Sequence, residues 1–164
     1  MKKSPKTSRK TKKTKPERGY TAYCIEIKDW SVPYSLHLNE HKKFRDGPYW
    51  EYVELKILGK FIYPDRFADK NVESRFLGSR SMTKMLNQPD KYDDIKPLCL
   101  GSLTLRGERR DYLGSLPMDT FPTIVGSLAA NKYKYLIFHG YTPRYGTAEI
   151  FSYHFDRFFE EEDW

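Results

Sequence analysis

The chain has 164 residues, 16% of them aromatic, and a formal net charge of +7. That length fits one domain with a sizeable core. No apolar run of about 18 residues is present, which excludes a membrane-crossing helix. The basic start lacks the apolar stretch of a secretory signal.

Thirteen tyrosines favour strands over helices. The two cysteines, Cys24 and Cys99, sit in strand-like runs with no Cys-x-x-Cys spacing. With only four histidines, neither a disulfide framework nor a zinc site is expected, and a reducing cytoplasm is the expected setting. The charge is uneven. Residues 1–18 hold nine of the 29 basic residues and one of the 22 acids, a segment charge of +8. The remaining 20 basic and 21 acidic residues leave 19–164 at −1. The basic character belongs to the tail, so it gives no argument that the domain itself binds nucleic acid.

After Met1, residues 1–18 contain no apolar side chain and read as a disordered tail. Lys10, Lys12 and Lys13 lie in its densest part and suit non-specific phosphate contact. Residues 19–159 read as a single α+β domain, and Glu160 to Trp164 as an acidic end.

Gly19 to Trp30 is the first expected strand, with Thr21, Tyr23, Ile25 and Ile27 alternating. Val32 to Leu38 is a second, and Pro33 places it near an edge or bulge. Asn39 to Pro48 is a charged loop with His41, Lys42, Lys43 and Arg45. Tyr49 to Tyr63 alternates over a length unusual for one strand, with Gly59 as a bend or bulge. A polar loop follows to Asn71, then a short strand within Val72 to Ser81. One or two helical turns over Ser81 to Asn87 stop before Pro89.

Leu98 to Leu116 is the clearest hairpin. Gly107-Glu108 suits a two-residue turn with positive φ at glycine. That turn fixes a register opposing Leu103 to Tyr112, Thr104 to Asp111 and Gly101 to Gly114. One face then holds Cys99, Leu103, Leu105, Tyr112 and Leu116, with Arg110 at its tip. The other carries Ser102, Thr104, Arg106, Arg109, Asp111 and Ser115, with Leu100 and Leu113 further down. Opposed glycines leave bare backbone, which fits a packed neighbour, strong twist or ligand approach.

Thr120 to Ala130 is the one convincing helix, with Asp119 as cap, Phe121, Ile124, Val125 and Leu128 on one face, and Asn131 at the left-handed end. It should lie on the hairpin's apolar face. A second hairpin, Tyr133 to Tyr141 with Gly146 to Phe155, turns at Thr142-Pro143-Arg144-Tyr145. Both faces of its strands are rich in rings, as in a covered central strand or an exposed aromatic platform.

The expected fold is a twisted, mainly antiparallel sheet of six or seven strands with one main helix on one face. A partly closed barrel and two packed sheets are the alternatives. No metal, nucleotide or catalytic-serine motif occurs, and no cofactor is implied. The leading functional reading is a non-enzymatic nucleic-acid-binding accessory protein. Its tail, with Arg106, Arg109, Arg110, Arg144 and Tyr145 at the hairpin tips, would contact phosphates and bases. A protein–protein module using a sheet edge or tyrosine-rich face is the second. A phosphodiester-cleaving enzyme is the third, with His139, His154 and Glu149 as acid–base candidates. If Tyr141 opposes Thr147, the two histidines fall on opposite faces and Glu149 neighbours His139; a register one residue away puts the histidines on the same face but well out of step along the ladder. The oligomeric state is not legible from sequence.

Overall fold

The computed structural model describes residues 18–38, 48–91, 99–108 and 110–160. Eight strands, β1 (Tyr20–Ser31), β2 (Tyr34–Leu38), β3 (Tyr49–Tyr63), β4 (Asn71–Ser79), β5 (Gly101–Thr104), β6 (Asp111–Pro117), β7 (Tyr135–Tyr141) and β8 (Thr147–Asp156), form one sheet. Its order is β1-β7-β8-β5-β6-β4-β3, and β3 returns to pair with β1. Seven strands therefore close into a barrel, where an open, mainly antiparallel twisted sheet was expected. Closure rests on two long-range ladders. One is β1 with β3; the other is β4 with β6, which run parallel from Glu73↔Asp111 to Ser79↔Pro117. Joining the free edges removes the unpaired backbone that an open sheet would expose.

Alternation along each strand decides what fills the barrel. Tyr23, Ile25, Leu55, Ile57, Phe61, Phe76, Leu103, Tyr112, Leu136, Phe138 and Ile150 are buried inward. Phe76, Tyr112 and Phe138 form its aromatic centre, with Tyr112 centroids 5.0 and 4.3 Å from the other two. The expected β5–β6 register holds, including Gly101↔Gly114. The space those glycines leave is taken by the Tyr112 ring, which a Cβ at either position would strike. The expected two-residue turn opens instead into a longer tip. Leu105 donates its N–H to Gly146 O (2.8 Å), and Arg110 O accepts from the Glu73 N–H (3.1 Å), so each side of the tip is drawn to a neighbouring strand. Gly107 keeps the positive φ, at 60°.

Two α-helices lie at the opposite end of the barrel. α1 (Arg80–Asn87) is capped by Ser79, whose Oγ accepts from the Met82 N–H at 3.1 Å. α2 (Phe121–Ala129) joins the end of β6 to the start of β7 and sends Phe121 and Leu128 into the core. The cap expected from Asp119 is absent. Its carboxylate accepts from the Thr83 hydroxyl instead (3.3 Å), and Thr120 occupies the cap position with its hydroxyl donating back to Pro117 O (2.8 Å) and not capping the helix. Asn131 is left-handed as expected, with φ 54°.

The β1–β3 ladder does not stop at the barrel. Ser31↔Lys56 and Tyr34↔Val53 keep one register across Val32-Pro33, and Glu54 donates its N–H to Pro33 O (3.1 Å). β2 with residues 49–53 thus forms a two-stranded ribbon running past the barrel end. That accounts for the 15-residue length of β3.

Candidate nucleic-acid interface

All the arginine-bearing tips meet at one barrel end, because β5 lies beside β8 from Gly101↔Ile150 to Thr104↔Thr147. A Cβ on Gly146 would stand 2.1 Å from Arg106 Cγ, so the Arg106 side chain crosses directly over the second tip. There Tyr145 takes a positive φ of 53° and is exposed, with the Arg144 guanidinium 5.3 Å from its ring centre. Arg106, Arg144 and Tyr145 are therefore neighbours, although 38 residues separate Arg106 from Arg144 in sequence. Arg110 is apart from them. It donates to Glu108 O (3.2 Å) and borders a separate cleft with Lys28, Lys60 and Glu73. Arg109, Lys10, Lys12 and Lys13 lie outside the described residues.

The structure adds three rings and one arginine that the sequence did not single out. Tyr20 opposes Tyr141 across β1 and β7, on the barrel's outer face. In β8, His139↔Ser152 is followed by Gly140↔Ile150, leaving Phe151 as an extra, bulged residue. Its ring points outward, next to inward Ile150. Tyr20, Tyr141 and Phe151 then form a closed trio with centroids 5.4, 5.7 and 5.5 Å apart. Tyr20 is 72% and Phe151 40% exposed. The Arg18 guanidinium lies 5.6 Å from the Tyr141 ring centre and pairs with Glu149. Beside the trio, a cleft of about 290 Å³ is walled by Arg18, Tyr141, Arg144 and Tyr145. Arg18 is the last residue of the basic segment, so that segment joins the domain at the rim of this cluster.

The second hairpin departs from the register that opposes Tyr141 to Thr147: Thr147 bridges to Arg144 instead, the ladder next to the turn runs from Gly140↔Ile150, and the bulge moves it one residue further. His139 and His154 consequently share the outer face, stacked with centroids 5.5 Å apart and planes 19° from parallel. Burial and the neighbouring His154 charge hold His139 below the ordinary histidine range. Glu149 is not beside His139; it opposes Ser102 and pairs with Arg18. Further along this face Cys24 and Ile137 point outward yet are buried. Phe159 spans their neighbours Tyr63 and Tyr135, at 6.4 and 6.2 Å. Burial pushes the Cys24 thiol up to about 12, which keeps it out of nucleophilic chemistry.

A signal for the ring trio was present but divided. Tyr20 and Tyr141 have the outward parity of their strands, whereas Phe151 is outward by alternation from Ile150 but shares the odd parity of Tyr153 and Phe155, which pack on the core. Among the described residues no group of three or more His, Cys, Asp or Glu side chains could hold a metal ion, and no helix is long and apolar enough to cross a membrane. Comparison with protein-family models, with curated proteins and with solved structures finds no match.

Proposed function

We propose that the protein is a non-enzymatic nucleic-acid-binding accessory protein that engages single strands. Bases stack on the Tyr20, Tyr141 and Phe151 cluster. The backbone is drawn in by the basic segment ending at Arg18 and steered by Arg106 and Arg144. The observation that carries this reading is the junction itself: a +8 segment meets the domain where two exposed rings, the half-buried Tyr141 and three arginines lie together. Aromatic stacking beside a basic track is the sequence-tolerant way to hold a single strand. What supports a binding role over cleavage is the histidine geometry. Two imidazoles stacked face to face at 5.5 Å leave no room for a phosphate between them, and Glu149 is engaged by Arg18. A second reading, a protein–protein module working through a sheet edge, is favoured by the outer edge of β2, which no described strand pairs.

Fluorescence anisotropy with a labelled single-stranded oligonucleotide of mixed sequence tests the proposal. Tyr20→Ala and Phe151→Ala should each weaken binding about tenfold, the loss of roughly one stacked base. Leu113→Ala, on the outer face of β6, should leave it unchanged. Equal affinity for all three variants, or tighter binding of a duplex of the same length, would overturn it.

A further inference from the structure

We infer that the protein associates with a second copy of itself by antiparallel pairing of β2 with β2, across a two-fold axis through Leu36. Barrel closure leaves the ribbon as the place where strand edges stay open among the described residues. On its outer side, β1 pairs with β7 only as far as Glu26, and Ile27 donates to Lys134 O (2.8 Å). Beyond that point no described strand lies beside Tyr34–Leu38.

Exposed edges are normally blunted by charge, proline or bulges. Lys28, Asp29 and Pro33 do this for the first part of the edge. The five residues Tyr34-Ser-Leu-His-Leu38 carry no acid, lysine, arginine, proline or glycine. They are also self-complementary. Antiparallel pairing centred on Leu36 sets Leu36 against Leu36, Tyr34 against Leu38 and Ser35 against His37. Apolar then meets apolar on one face, polar meets polar on the other, and no like charges are opposed. An isologous contact of this kind closes at two copies.

The exposed surface is apolar, as a pairing edge requires. Tyr34, Leu36, Leu38, Tyr49 and Trp50 of the ribbon are 55–72% exposed. Trp50 stands opposite His37 on the other face of the ribbon, so on the Leu36 face Tyr34 and Tyr49, at 150–250 Å² per ring, offer roughly 200 Å² per copy, against about 800 Å² per partner in a standard interface. The leucines and the paired backbone add to that figure. Association through β2 is independent of nucleic-acid binding, because the ribbon leaves the barrel at the end opposite the ring cluster.

Two experiments on the full chain decide it. By sedimentation velocity the mass should rise with concentration from 19.5 kDa towards twice that value. Leu36→Lys should stay at the monomer mass with an unchanged circular dichroism spectrum, since Leu36 is already exposed, and its melting temperature should no longer depend on concentration. In a Cys99→Ser background, Leu36→Cys should oxidise to a covalent dimer, because the two Cβ atoms would lie about 5 Å apart. Leu38→Cys should not, because its two copies would stand about 13 Å apart along the strands. A monomer at all concentrations, a Leu36→Lys dimer, or equal cross-linking at 36 and 38 would each overturn the inference.

Discussion

Gly114 shows how one missing side chain fixes the centre of the barrel. A methyl group there would sit 2.0 Å from the Tyr112 hydroxyl, and Tyr112 is fully buried against Phe76 and Phe138. Gly114→Ala should therefore cost about 2 kcal/mol, as overpacking does. The loss should read as a lower denaturant midpoint at unchanged slope. Glu54 is a second decisive residue, 3% exposed on the outer face. Burial pushes its carboxyl up, but hydrogen bonds from Arg75 and from Tyr52 (2.6 Å), with the Arg75 charge, outweigh this and hold it below 4.5. A depressed carboxyl contributes stability that is present above about pH 4.5 and lost as pH falls through the folded value. His139 acts in a higher window. Its folded state resists protonation, so stability is full above about pH 6.5 and declines as pH falls below it. Melting temperatures from pH 8 to 3 should show both declines. His139→Gln should remove the first. Arg75→Met should shift the second to higher pH and cost about 2 kcal/mol at pH 7, by stripping a charge-assisted bond from a buried carboxylate.

At the scale of elements, the two hairpins differ in what made them legible. The β5–β6 register could be read because Gly107 and alternating apolar residues are local signals, and local pairing obeys them. The β7–β8 register could not, because one extra residue at Phe151 changes parity without any glycine or proline to mark it. Barrel closure was hidden for another reason. The β4–β6 and β1–β3 ladders join segments tens of residues apart, and neither strand's own pattern names its partner. Likewise the tip arginines stood out as charges in turns, while Tyr20, Tyr141 and Arg18 gain meaning only once β1 and β7 are adjacent. Inside and outside are testable along β6 itself. Leu116 is buried and Leu113 is 47% exposed. Leu116→Ala should cost about 3 kcal/mol and Leu113→Ala less than about 0.5, measured by chemical denaturation.

Across the whole molecule, the two barrel ends carry different surfaces. One end and its adjoining outer face gather Arg18, Arg106, Arg144 and the ring cluster, and in sequence Arg18 follows eight of the chain's basic residues at positions 2–17. The other end carries both helices and the apolar ribbon. The domain from residue 19 onward is near neutral, so under the proposed function long-range attraction to a polyanion would come from the basic segment and short-range hold from the rings. These contributions separate in salt. Each phosphate contact in a single strand steepens the slope of log affinity against log salt by about 0.7, whereas stacking leaves the slope alone. The decisive measurement is a salt titration of oligonucleotide affinity for the full chain, a deletion of residues 2–17, and Tyr20→Ala with Phe151→Ala. The deletion should flatten the slope by several units, and the ring variant should lower affinity at every salt concentration with its slope unchanged. Affinity that ignores salt in all three proteins, or an intact slope after the deletion, would contradict the account.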